Sequence, residues 1–189
     1  MPGTVPPVPD ERTALLAYLA QQRYVLRLCA HGLTDEQARL TPTAGSLSVG
    51  GVLKHVAQTE TYWIDLVAGR SGAPADYMAG FVLSDGETLA DALRAYDQVA
   101  AGTEEVIAGV EDLGRAVPVP KDAPWFPDDV DAWSVRWVLL HLIAETARHA
   151  GHADIVRESI DGATAYPLMA AAESWPATPW LTPWEPAGG

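Results

Sequence analysis

Cysteine is nearly absent from this chain of 189 residues: Cys29 stands alone. An intramolecular disulfide and a thiolate-ligated zinc site are both excluded. Set in an apolar helical pattern, the single thiol reads as a buried, inert core side chain. Positive charge is also scarce, with 12 Lys and Arg against 25 Asp and Glu and a formal net charge of −13. Such a chain has no basic patch to meet nucleic-acid phosphates, and an anionic membrane surface would repel it. No apolar run reaches the roughly 18 residues that span a bilayer. The opening Met1–Pro9 segment has neither the charged nor the apolar region of a secretion signal. A soluble cytoplasmic protein with no nucleic-acid or membrane partner is the expectation. Also missing are a Gly-x-Ser-x-Gly elbow around Ser46 or Ser48 and a glycine-rich phosphate loop behind a strand.

What is present is a hydrophobic content of 48%, enough to fill one domain. The most informative stretch runs from Trp133 to Glu158, with no proline and Gly151 as its only glycine. It predicts one long helix, capped by Ser134 and supported by the Glu145/Arg148 pair. At about 100° per residue, His141, Glu145, His149 and His152 fall at roughly 0°, 40°, 80° and 20° on the helical wheel. Titratable groups on one such stripe are costly to bury unless something pairs with them, and a metal ion is an economical partner.

Before that helix, residues 1–9 are proline-rich and read as an extended arm. Asp10 caps a first helix that Gly32 stops, with His31 at its C-terminal end. Thr34 and Gln37 form a capping box for a short turn ended by Pro42. A second helix opens near Ser46 or Ser48 and stops at Gly69; Gly50-Gly51 weakens its start unless another backbone approaches closely there. A loop from Arg70 to about Gly86 carries Tyr77, Met78 and Phe81. A third helix, opened by Asp85 or Thr88, runs to about Leu113 with Asp91, Asp97, Glu104 and Glu105 on a solvated flank. Residues 114–132 form a long connection in which Val117–Pro120 has room for a short edge strand. Beyond the fourth helix the chain becomes a Pro- and Trp-rich tail over 166–189, expected to be irregular and to lay Trp175, Trp180 and Trp184 on the bundle or a partner. Four helices without a strand series predict an all-α four-helix bundle over residues 10–165.

Bundles build metal sites from side chains on facing helices, including Glu and His one turn apart. Glu145 and His149 are such a pair, and His149 and His152 are three apart. His55, in the apolar window Val52–Ala57, offers the ligand from a second helix. Imidazole and carboxylate without thiolate suit zinc, nickel or iron. Three protein ligands with open positions make a catalytic site rather than a structural one. Ferritin-like di-iron chemistry needs more core-facing carboxylates than Glu145 and Glu60 provide.

Ser48-Val-Gly-Gly-Val-Leu-Lys-His55-Val-Ala-Gln-Thr-Glu60 with Trp63, and Leu140 to Ile155 with Glu145 and His149, resemble the two signature helices of the DinB/YfiT-like superfamily of metalloenzymes. The resemblance covers roughly residues 10–165 and implies an up-down-down-up four-helix bundle, commonly a homodimer. It implies a divalent metal, zinc or nickel first and iron next, on His55, Glu145 and His149. Many members have histidine at the earlier of the two positions on the last helix; this chain has Glu145 there, and so does the isomerase branch. That departure leaves His152 as a fourth ligand, a supporting group or the catalytic base. His141 reads as a supporting or core residue. Glu60 and Asp154 read as ion-pair or surface groups, and Lys54, Arg148 and Arg157 as solvated cations. The implied activity is that of a thiol-dependent S-transferase or isomerase using mycothiol or bacillithiol on a small-molecule substrate. A metal-dependent hydrolase and a non-catalytic metal- or ligand-binding stress-type bundle are the alternatives.

Overall fold

Five side-chain oxygens set where the main helices begin. Asp10 accepts from the Thr13 amide ahead of α1 (Glu11–Leu28), and Thr34 forms a reciprocal box with Gln37 on α2 (Asp35–Ala38). Ser48 accepts from Gly51 to open α3 (Val49–Val67), and Thr88 boxes with Asp91 on α4 (Leu89–Ala108). Ser134 accepts from Trp137 to open α5 (Val135–Asp161). Gly32 and Gly69, the anticipated stops, both take φ of +72°, a conformation open to glycine and strained for other residues. A computed structural model of the chain describes residues 3–70, 78–121, 124 and 126–186. Tyr77 and parts of the 1–9 arm, the 70–86 loop, the 114–132 connection and the 166–189 tail lie outside them.

Two apolar clusters settle the helix directions. One joins Leu15 and Leu19 of α1 to Trp63, Ile64 and Val67 at the end of α3, Ile107 at the end of α4, and Val135 to Leu142 at the start of α5. The other joins Leu26 and Cys29 to Val49–Ala57, Leu89 and Tyr96, and Ala150 to Val156. The molecule is therefore an all-α bundle in which α1 and α5 run one way and α3 and α4 the other. This is the up-down-down-up order. Glu60 pins three helices at mid-height: fully buried on α3, it accepts from Arg23 of α1 and Thr103 of α4.

The outlying segments depart from expectation in four places. α4 ends at Ala108, and Val110 and Leu113 reach the core from an irregular stretch instead of from a helix. The 114–132 connection contributes β1 (Ala116–Pro118) at the expected edge strand, but its antiparallel partner β2 (Ala132–Ser134) takes Trp133 into a strand, ahead of an α5 that opens behind its expected cap Ser134. The tail is not wholly irregular: α6 (Ala165–Ala172) is a helix despite Pro167. Proline fits because it stands in the first turn, where an amide has no intrahelical partner to lose. Arg157 is buried, not solvated. It donates to the carbonyls of Cys29 and His31 and to both oxygens of Asp161, and its guanidinium lies 4.7 Å from the centre of the Trp184 ring. Trp184 is thus anchored on the bundle, whereas Trp180 is 79% exposed.

Candidate metal centre

One turn of α5 separates Glu145 from His149, so both side chains leave the helix on the side that faces α3. His149 Nε2 lies 3.1 Å from Glu145 Oε1, and His55 Nε2, from α3, lies 3.6 Å from the same oxygen. One ligand atom from each of the three residues falls within 4.8 Å of the others, a spacing at which all three can hold one cation. His55 is almost fully buried, His149 nearly so, and the Glu145 side chain keeps 23% exposure. The site is therefore dry at its back and open at the carboxylate.

The carboxylate at the centre of the cluster is ionised. The Glu145 carboxyl is held well below the usual carboxylate range, first by its hydrogen bond to His149 and then by His55, against the opposing effect of burial. An ionised carboxylate and two imidazoles together offer a set of lone pairs to a cation. His149 Nδ1 is buried without a hydrogen-bond partner. The donor types and spacing fit a divalent ion of the kind imidazole and carboxylate bind.

The other residues of the stripe take different positions. His152 sits one turn past His149 with ring centres 5.3 Å apart, outside the three-residue cluster, and its Nδ1 is buried without a partner. His141 points along α5 into an aromatic stack. Its ring lies nearly parallel to Trp137 at 5.0 Å, and Trp137 in turn lies on Trp133 at 4.1 Å. Trp63 of α3 meets the His141 ring edge-on at 4.8 Å. Burial among these rings pushes the His141 imidazole pKa down, with Glu145 opposing. The spacing 133, 137, 141 was legible as an i,i+4 column continuing into 145 and 149. Phe81 carried no such signal, yet it lies flat on the His55 ring with centres 3.8 Å apart and planes 17° apart. Lys54 pairs with Glu87, Asp154 accepts from the Cys29 thiol, and Arg148 is exposed.

Fold and cluster together define a class: a helical bundle with two imidazoles and a carboxylate gathered between two helices. Within that class the chain belongs to the mycothiol S-transferase family, whose model matches residues 14–162 and so spans both signature helices. Among solved structures it is similar to the conserved protein of locus from Enterococcus faecalis, with a TM-score of 0.64 at 12% identity over 82% of this chain and 100% of that one. At that identity the likeness establishes the shared fold. No curated protein matches the chain. Among the described residues no helix is long and apolar enough to cross a membrane.

Proposed function

We propose that this protein is a divalent-metal-dependent thiol S-transferase or isomerase of the mycothiol type, with His55, Glu145 and His149 as ligands and His152 as the catalytic base. The observation that carries the reading is the convergence of those three ligand atoms within 4.8 Å in a chain of this family. Zinc or nickel, and next iron, suit the donor set. A bound ion of this kind supplies Lewis acidity, which lowers the pKa of a thiol brought to it. The chain's own groups do the rest. His55 and the apolar wall behind it keep water from the back of the site, and Glu145 leaves the front open to substrate. His152 Nδ1 accepts the proton that the thiol loses. The thiolate sulfur then bonds to an electrophilic carbon of a small-molecule substrate, and the leaving group departs with its electron pair. In an isomerisation no group is lost at that stage: the sulfur adds to one carbon of a conjugated double bond, whose electron pair moves onto the conjugated acceptor, the resulting single bond rotates, and the returning pair reforms the double bond as the sulfur departs. A homodimer in the cytoplasm completes the reading.

The test is elemental analysis of the purified protein beside His55→Ala and His149→Ala. Wild type is expected to carry about one divalent ion per chain and both variants to lose it; equal metal content in all three overturns the assignment. Consumption of an electrophile is then followed with and without a low-molecular-weight thiol. Turnover that needs no thiol makes the protein a hydrolase. His152→Ala is expected to keep its metal and lose roughly 10²–10⁴ in rate, the range for a general base.

A further inference from the structure

Gly50 and Gly51 open α3 at a cost in helix propensity, and the structure shows what that cost permits. A Cβ on Gly51 would stand 1.9 Å from the carbonyl oxygen of Phe81, and one on Gly50 would stand 2.4 Å from Leu83 Cδ1. The segment from the 3-10 turn Met78–Phe81 to Glu87 therefore lies directly on the first turn of α3. It is tied down there by two cations. Arg39 donates to the carbonyls of Leu83, Ser84 and Glu87, and Lys54 donates to Ser84 Oγ at 3.1 Å and to Glu87 Oε2 at 2.7 Å. This strap delivers the Phe81 ring flat onto His55, with the His149 ring centre 6.1 Å away. Gly80 beside it leaves room for Gln58 and for the Nδ1 edge of His55.

We infer that Phe81 is a positioning residue for the metal centre, acting through His55. The inference rests on His55 being a ligand, as proposed above. An imidazole has a broad χ2 torsion, and a ligand that must be oriented on binding loses affinity to that ordering. A ring clamped at 3.8 Å has its plane set before any ion arrives, and the benzene face closes the back of the site to water. The glycine pair in α3 is thereby explained as the rail that lets the strap come close enough to do this.

The experiment uses the full chain, metal-free and then titrated with zinc, as wild type, Phe81→Leu and Phe81→Tyr. In metal-free wild type the carbon-bound ring protons of His55 are expected upfield by aromatic ring current, with cross-relaxation to Phe81. Phe81→Tyr is expected to keep that signature and near-wild-type zinc affinity. Phe81→Leu is expected to lose the signature and about 10–100-fold in zinc affinity, with an altered visible spectrum of the cobalt-substituted site. Absence of the ring-current signature in wild type overturns the inference even if Phe81→Leu fails to fold. A signature present in wild type with unchanged zinc affinity in Phe81→Leu overturns the positioning role alone. Should wild type show the stack and bind no zinc, the metal reading itself falls and takes this role with it.

Discussion

A buried charge is stable only through its partners, and Glu60 and Arg23 are the clearest case here. Both are almost fully inaccessible, and Arg23 spends two of its nitrogens on the two oxygens of Glu60. Glu60→Gln keeps the shape but strands the guanidinium, so a loss of about 3–5 kcal/mol in a urea denaturation is expected. Glu104 also reaches Arg23, at 3.5 Å, but its side chain is 59% exposed. Glu104→Gln is therefore expected to cost under about 1 kcal/mol. Equal losses from the two substitutions would mean that burial does not govern the pair. Cys29 follows the same logic with the opposite sign of function: burial, with Asp154 beside it, pushes the thiol pKa far up, which makes it the inert side chain that its apolar setting predicted.

Among the helices, glycine separates what packing demands from what it tolerates. Gly51 faces the Phe81 carbonyl, which is backbone and has little freedom to move, so Gly51→Ala is expected to cost about 2 kcal/mol or more by overpacking. Gly151 is different. It lies mid-way along α5, exposed, and a Cβ there meets nothing within 4 Å. Gly151→Ala is expected to raise stability by about 0.5–1 kcal/mol, because it removes only backbone entropy from the unfolded chain. Thermal melts of the two variants should move in opposite directions. A shift of the same sign in both would show that the strap yields. The caps behaved as their sequence predicted, since a capping side chain and the amide it serves are three residues apart. The end of α4 did not, because Val110 and Leu113 are apolar for the sake of the core and carry no helical requirement with them.

At the scale of the molecule, the C-terminal segment is a fastening. Trp184 fills the space beside Gly32, covers the Arg157 guanidinium and donates its amide to Pro167 O at 2.9 Å. Arg157 in turn holds the last turn of α1 through two carbonyls. Trp184→Ala uncovers a buried cation and removes a large half-buried ring, so a loss of about 2–3 kcal/mol in chemical denaturation is expected. The zinc affinity should not change, because this contact lies away from His55, Glu145 and His149. A variant as stable as wild type would show that the tail rests on the bundle without holding it.

Read alone, the amino-acid order determined the helix starts, the four long helices and the residues that share the stripe on α5. Each of these depends on neighbours within one or two turns, where spacing is geometry. It also pointed to His55 as the partner from another helix, through the apolar window around it and the family resemblance. What only the tertiary structure decided is which of the four titratable groups on that stripe converge. His141 and Glu145 share one stripe of the helical wheel, yet one stacks on Trp137 and the other meets His55. The difference comes from what α3 presents opposite each turn: Trp63 at one level and an imidazole at the next. Phe81 and Arg157 were hidden for the same reason, since their roles depend on contacts with chain 26 and more than a hundred positions away.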